Sequence, residues 1–265
     1  MFFLEQMLAW LHVDVTPPVE YGWFHLICLF ILAAACAAVI VWRKKITDRV
    51  FFIIALSLWI LLVVGEVYKQ LDFSYDESTG KWEYLWYAFP FQFCSTILYV
   101  LPLAIFIGHE GARAFFYAFL ATFSLFAGLI VMLFPGDVFC PWALINVQTM
   151  VHHGGMVFFG VLLYATEKIP FRFSTLLRAT AVFAVLFAIA MLLNLLFRDK
   201  GGFNMFYIDV EGCHLPVLSE LFVRLPYPVF LALYAFGFCL VAGLVLLIAW
   251  WVTSLSKKLR RKEGH

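Results

Sequence analysis

Seven separate runs of apolar residues, near 22–42, 50–69, 88–108, 114–134, 145–165, 179–198 and 227–252, each approach the roughly 20 residues that a membrane-crossing helix needs. No water-soluble core takes so many such runs. Of the residues 65% are hydrophobic and 13% charged, against roughly a half and a quarter in soluble domains. Lipid offers backbone N–H and C=O groups no hydrogen-bonding partner, so each run must be helical. The expected class is therefore all-α, a polytopic seven-helix transmembrane bundle. A cytosolic enzyme, a disordered chain and a nucleic-acid binder are excluded, and little length is left for a soluble domain.

Residues 1–18, MFFLEQMLAWLHVDVTPP, lack the basic start of a signal peptide and mix Glu5, His12 and Asp14 with apolar residues before Pro17 and Pro18. They read as an interfacial amphipathic segment. Residues 19–254 then form the membrane domain and 255–265 a basic tail. Lys and Arg are divided unequally between the two sets of connections. Thirteen of the eighteen fall at 43–49, 113, 168–178 and the tail, and five, Lys69, Lys81, Arg198, Lys200 and Arg224, on the other side among many carboxylates. By the positive-inside rule the N-terminus is outside and the C-terminus cytoplasmic, in a multi-pass protein of the cell membrane.

Depth follows from the helical rise. Cys94 is expected roughly 9 Å, and His152 roughly 10 Å, inside the outer end of its span at 1.5 Å per residue. Gln92, Asn146, Gln148, Asn194 and Glu66 fall in the same layer, while the inner halves, such as FFIIALSLWI and AVFAVLFAIA, are almost purely apolar. Channels and proton relays need polar groups at several depths, and transporters place sites near the midplane. A single layer in one leaflet suits a ligand already there, a membrane phospholipid. Neither nucleic acid nor a soluble protein partner is implied.

The chemistry-bearing constellation is Cys94 in PFQFCSTILY with His152 and His153 in NVQTMVHHGGM. A thiol becomes a strong nucleophile when an imidazole takes its proton and a third group orients the ring. Gln148 precedes His152 by four residues and Asn146 precedes His153 by seven, so an amide shares each histidine's face. The two rings diverge by about 100° around the helix, so one at most faces Cys94. Gln92 or Asn146 are candidate donors to an oxyanion. Glu66 needs a partner, Lys69 or Arg198. Arg198 and Lys200 open RDKGGFNMFYIDVEG, which reads as a lid or re-entrant segment, and both suit phosphate or head-group contact. Cys140 and Cys213, both in outer connections, are a possible disulfide. The sequence has no P-loop, dinucleotide or zinc spacing, and adjacent histidines without a third ligand are not a metal site, so neither cofactor nor metal is expected. A transporter or sensor with an outer-leaflet ligand pocket is the non-catalytic alternative.

GWFHL, PFQFCS, HHGG and NLLFRDKGGFNMFY resemble the YwaF family of bacterial integral membrane proteins, itself distantly similar to eukaryotic transmembrane acyltransferases that remodel ether phospholipids. Where the bacterial family has a His two residues before the Cys, this chain has Gln92. The resemblance implies coenzyme-A-independent movement of an acyl group between lipids through a thioester. Cys94 would be the nucleophile, His153 or His152 the base, and His25 and Asn194 supporting polar residues.

Overall fold

The computed structural model describes residues 2–76, 79–210, 212–213 and 218–263, and for 256, 257 and 259–263 the backbone alone. Most of the basic side chains of the tail, and Glu211 in the 198–212 segment, therefore lie outside the described residues. The chain is helical almost throughout. Helix α1 spans Phe2–Leu11, α2 Trp23–Trp42, α3 Asp48–Asp72, α4 Ile97–Phe106, α5 Glu110–Phe119, α6 Leu125–Leu133, α7 Ala143–Ala165, α8 Phe173–Leu196, α9 Leu218–Arg224 and α10 Tyr227–Glu263. The described strands are β1, Tyr75–Asp76, and β2, Lys81–Trp82, paired antiparallel.

Among the described residues five helices are long and apolar enough to cross a membrane: Trp23–Lys45, Asp48–Asp72, Glu110–Leu133, Phe173–Leu196 and Tyr227–Leu255. Two of the seven expected segments differ in kind. The third is shorter than the expected 88–108, because its apolar helix covers only Phe93–Phe106, about 21 Å at 1.5 Å per residue. Its start is set by Pro90, which disfavours helical backbone at the preceding residue, and Phe89 is extended at ψ 132°. Cys94 consequently sits in the first turn, a 3₁₀ segment Phe93–Thr96, and not six residues inside a regular helix. The fifth, α7, has span length, but its polar residues lower its apolarity. It is buried along most of its face, including Asn146, His152 and His153.

Glycine brings α7 close to its neighbours. A Cβ at Gly128 of α6 would lie 2.6 Å from the His153 carbonyl oxygen, and one at Gly155 would lie 3.0 Å from Leu58 of α3. Small residues supply this close approach where lipid removes the hydrophobic drive for helix association. Two irregularities also find partners. Pro102 lacks the N–H that would reach the Leu98 carbonyl, and Trp59 Nε1 donates to that carbonyl at 3.0 Å instead. A π-helical turn, Leu120–Ser124, joins α5 to α6, and Tyr164 donates its hydroxyl to the Ala121 carbonyl within it at 2.9 Å.

The N-terminal helix lies against the same end as the long connections. Leu8 is buried, while Phe3 and Trp10 stay exposed. His12 Nδ1 pairs with Asp72 Oδ1 at 3.0 Å, and the Val13–Val15 backbone pairs with Pro141 and Ala143. The opposite end carries the basic turn Arg43–Lys45 and an ion pair of 2.8 Å between Lys168 and Asp48.

Candidate functional site

Cys94, half-buried, opens the helical unit that continues as α4. The first N–H groups of such a unit have no partner within it, and their dipoles favour negative charge. Of the two histidines His152 is the one that reaches this turn, its Nε2 lying 3.1 Å from the carbonyl oxygen of Cys94. The bond runs to the backbone of Cys94, not to its thiol. Since a carbonyl only accepts, Nε2 carries the proton and Nδ1 is left with its lone pair. That Nδ1 is buried without a hydrogen-bonding partner. His153 turns back on its own helix, its Nδ1 donating to the Thr149 carbonyl at 2.8 Å, and the two rings stand 5.4 Å apart. Backbone carbonyls therefore set both tautomers, in place of the expected amides of Gln148 and Asn146.

Three of the expected amides hold loops to the bundle. Asn146 accepts from the Cys140 N–H at 2.9 Å and donates to its carbonyl at 2.8 Å. Asn194 does the same to Met205, at 2.7 and 3.1 Å. Gln92 accepts from the Phe206 N–H at 3.0 Å and donates to the Asn204 carbonyl at 2.9 Å. Gln92 and Asn146 are thus engaged as clamps, each placing its carbonyl oxygen and one amide N–H on loop backbone. His25 is similarly held, accepting from the Tyr21 N–H at 2.9 Å while its Nε2 donates to the Met132 carbonyl at 2.8 Å.

The segment after α8 differs from the lid or re-entrant loop that its sequence suggests. Here it packs into the bundle: Phe203, Met205, Phe206 and Ile208 are buried, and Phe206 adopts a left-handed φ of 61°. Its ring stacks on Phe91 at 6.0 Å and meets the edge of Phe93 at 5.2 Å. Tyr234 and Tyr227 donate to the Phe206 and Ile208 carbonyls at 2.8 and 2.7 Å. Phe206 thus packs against the Phe91–Phe93 stretch that leads into Cys94, a set that sequence did not single out because aromatic residues are everywhere in this chain.

Glu66, 5% exposed, pairs with Lys69 at 2.8 Å and accepts from Gln70 at 2.7 Å. Of its two expected partners, then, it has Lys69. Gln148 packs its side chain against Gly65. Arg198, together with Asn194, Asp209 and Tyr227, lines a cavity of about 300 Å³ at the junction of α8 and α10. Lys200 pairs with Asp199 at 3.1 Å and lies 5.5 Å above the Trp86 ring. The Cys140–Cys213 bridge is not formed: Cys140 is a thiol whose Sγ lies 3.9 Å from the Trp142 carbonyl. The Asn146 clamp holds Cys140 beside the start of α7, whereas Cys213 is buried in the main apolar core.

The five described helices long and apolar enough to cross a membrane, together with the largely buried polar α7, define an integral membrane protein of the polytopic helical class. Over residues 20–255 the chain matches the model of the TMEM164 family, and it belongs to that family. No curated protein and no solved structure matches it.

Proposed function

We propose that this protein moves acyl groups between phospholipids of the outer leaflet without coenzyme A, with Cys94 as nucleophile and His152 as base. The observation that carries the reading is the placement of His152. Its bond to the Cys94 carbonyl ties α7 to the turn bearing the thiol, and its Nδ1 is left buried and unpartnered, with its lone pair free. A buried imidazole nitrogen without a donor is costly unless something is to be bound there.

As sulfur attacks the ester carbonyl of a phospholipid, the imidazole takes the thiol proton. The free N–H groups of the first turn, not Gln92 or Asn146, meet the oxyanion. Collapse breaks the ester C–O bond, and the departing lysolipid alkoxide takes the proton from the imidazolium, leaving a thioester on Cys94. A second lipid hydroxyl then gives its proton to the imidazole and attacks the thioester, which restores the thiol. His153 stands behind His152, and Arg198 and Lys200 bind the lipid phosphate near the membrane surface. The YwaF resemblance supports this chemistry through PFQFCS and HHGG.

The same proposal has seven crossings, the short α4 and the polar α7 included, with the N-terminus outside and the C-terminus cytoplasmic in the cell membrane. Arg43–Lys45 and Lys168 at one end, and the carboxylate-rich connections at the other, support it. Purified protein incubated with a phospholipid labelled in its acyl chain is expected to form a hydroxylamine-sensitive adduct that Cys94→Ser abolishes. Equal absence of label from both proteins across several lipid classes would overturn the reaction in favour of a non-catalytic ligand pocket.

A further inference from the structure

Between α3 and α4 a groove of about 690 Å³ opens on the outer surface of the bundle. It has the size of a small-molecule site and is mostly apolar, as such sites are. Val67, Tyr99 and Leu103 on its walls are 53%, 41% and 45% exposed, so it is entered sideways from surrounding hydrocarbon. Pro102 shapes one wall, and Trp59, tied to the Leu98 carbonyl, fixes the spacing of the two helices.

Glu66 lines its polar end, and one of the two carboxylate oxygens of this residue has no partner. Lys69 and Gln70 both bond to Oε1 of Glu66, and Oε2 is buried with no hydrogen bond. The neighbouring polar groups are already engaged. Gln70 also donates to the Ala88 carbonyl at 2.7 Å and accepts from Tyr84 at 2.8 Å. Tyr99 donates to the Pro90 carbonyl at 2.8 Å and Trp59 to Leu98. A carboxylate oxygen left so in a low dielectric is strongly unfavourable unless a donor arrives.

We propose that this groove is a binding site for a lipid with one hydrocarbon chain and a hydrogen-bond donor at its head, a hydroxyl or a protonated amine, which Glu66 Oε2 accepts. The chain lies along the apolar walls and the donor meets the carboxylate. A fatty acid is disfavoured, since its carboxylate would face that of Glu66. A diacyl phospholipid offers only acceptor oxygens at that depth and brings a second chain. The inference goes beyond the acyl-transfer reading, because binding here does not require Cys94 to react.

The test is photolabelling of the full-length protein in nanodiscs by lipids carrying a chain diazirine, read as cross-links to peptides within 59–71 and 98–103. The probes are a lysophosphatidylcholine, its O-methyl ether, a sphingoid base and a diacyl phosphatidylcholine. At least fivefold stronger labelling of the groove by the lysophospholipid, the sphingoid base or both, relative to the ether and diacyl probes, is expected. Which of the two labels identifies hydroxyl or amine as the donor. Labelling should persist in Cys94→Ser, which separates this site from the reaction. Glu66→Gln should bring donor and ether probes to parity, and Val67→Trp, which fills the groove, should reduce both. Groove labelling of wild type in which neither the lysophospholipid nor the sphingoid base exceeds the ether would overturn the proposal without recourse to a variant. So would labelling spread evenly over the lipid faces of α2, α8 and α10.

Discussion

The polar groups gathered at one end of this bundle are of two kinds. Asn146, Asn194 and Gln92 spend both ends of their amides on loop backbone. His152 and Glu66 each keep a buried atom without a partner. Position in one layer is the same, and composition is similar, yet satisfaction differs. Fully satisfied amides are architecture, because they replace water for loops that must cross a dry surface. An unsatisfied buried atom is one that a bound group would satisfy, the role proposed for His152 and Glu66.

The contrast is broken most severely at Asn194. Asn194→Ala orphans the N–H and carbonyl of Met205, which is fully buried. At about 1–3 kcal/mol per unsatisfied group, the loss should lower the unfolding midpoint of the purified protein by at least about 5 °C, as followed by circular dichroism or tryptophan fluorescence. His152→Ala is expected to do the reverse: less than half that destabilisation, but acyl transfer reduced by at least about 100-fold, as removal of a general base commonly gives. A His152→Ala protein that keeps transfer while melting as early as Asn194→Ala would place His152 among the clamps.

The difference between these two kinds was only partly legible in sequence. Apolar runs located α2, α3, the end of α8 and the start of α10 at Tyr227 closely, since in lipid the hydrogen-bonding demand on the backbone leaves few alternatives, while α8 starts six residues before its expected 179. The roughly 100° angle between His152 and His153 likewise says that at most one of them faces Cys94. Which one it is depends on the rotation of α7, fixed by Gly128 and Gly155 against α6 and α3. The local effect of Pro90, shortening the third helix and moving Cys94 to its first turn, was open to prediction but hidden by the continuous apolar run around it. The clamps could not be read at all. An amide that will pair with a backbone 112 residues away, as Gln92 does with Asn204, looks the same in sequence as one lining a site.

A smaller effect tests whether clamping extends beyond amides. Trp59→Phe removes the donor that meets the carbonyl orphaned by Pro102, and should cost about 1–3 kcal/mol. Adding Pro102→Ala restores a backbone N–H within reach of Leu98, so the double variant should be more stable than Trp59→Phe alone. Thermal unfolding of the four proteins measures the coupling. Strict additivity would show that the Trp59 hydrogen bond does not stand in for the missing one.

Cys140 offers the mildest perturbation, on the clamped side. The Asn146 amide embraces its backbone, and burial pushes its thiol above the ordinary range, with a backbone hydrogen bond at Trp142 opposing the rise and Asp72 adding to it. The thiolate is the reactive form. A raised pKa therefore means less thiolate at pH 8, slow alkylation by iodoacetamide there, and a rate that keeps climbing above pH 9, where an ordinary thiol levels off. Releasing the loop with Asn146→Ala should expose the thiol, lower its pKa toward the ordinary range and raise the rate at pH 8 by about 3- to 10-fold. Peptide mass spectrometry under non-reducing conditions supplies the rate at Cys140 and, in the same spectra, reports any bridge to Cys213. If Cys140 in the wild type reacts at pH 8 as fast as in Asn146→Ala, the clamp does not shield it. The distinction between satisfied loops and reserved polar atoms then holds only within the membrane layer.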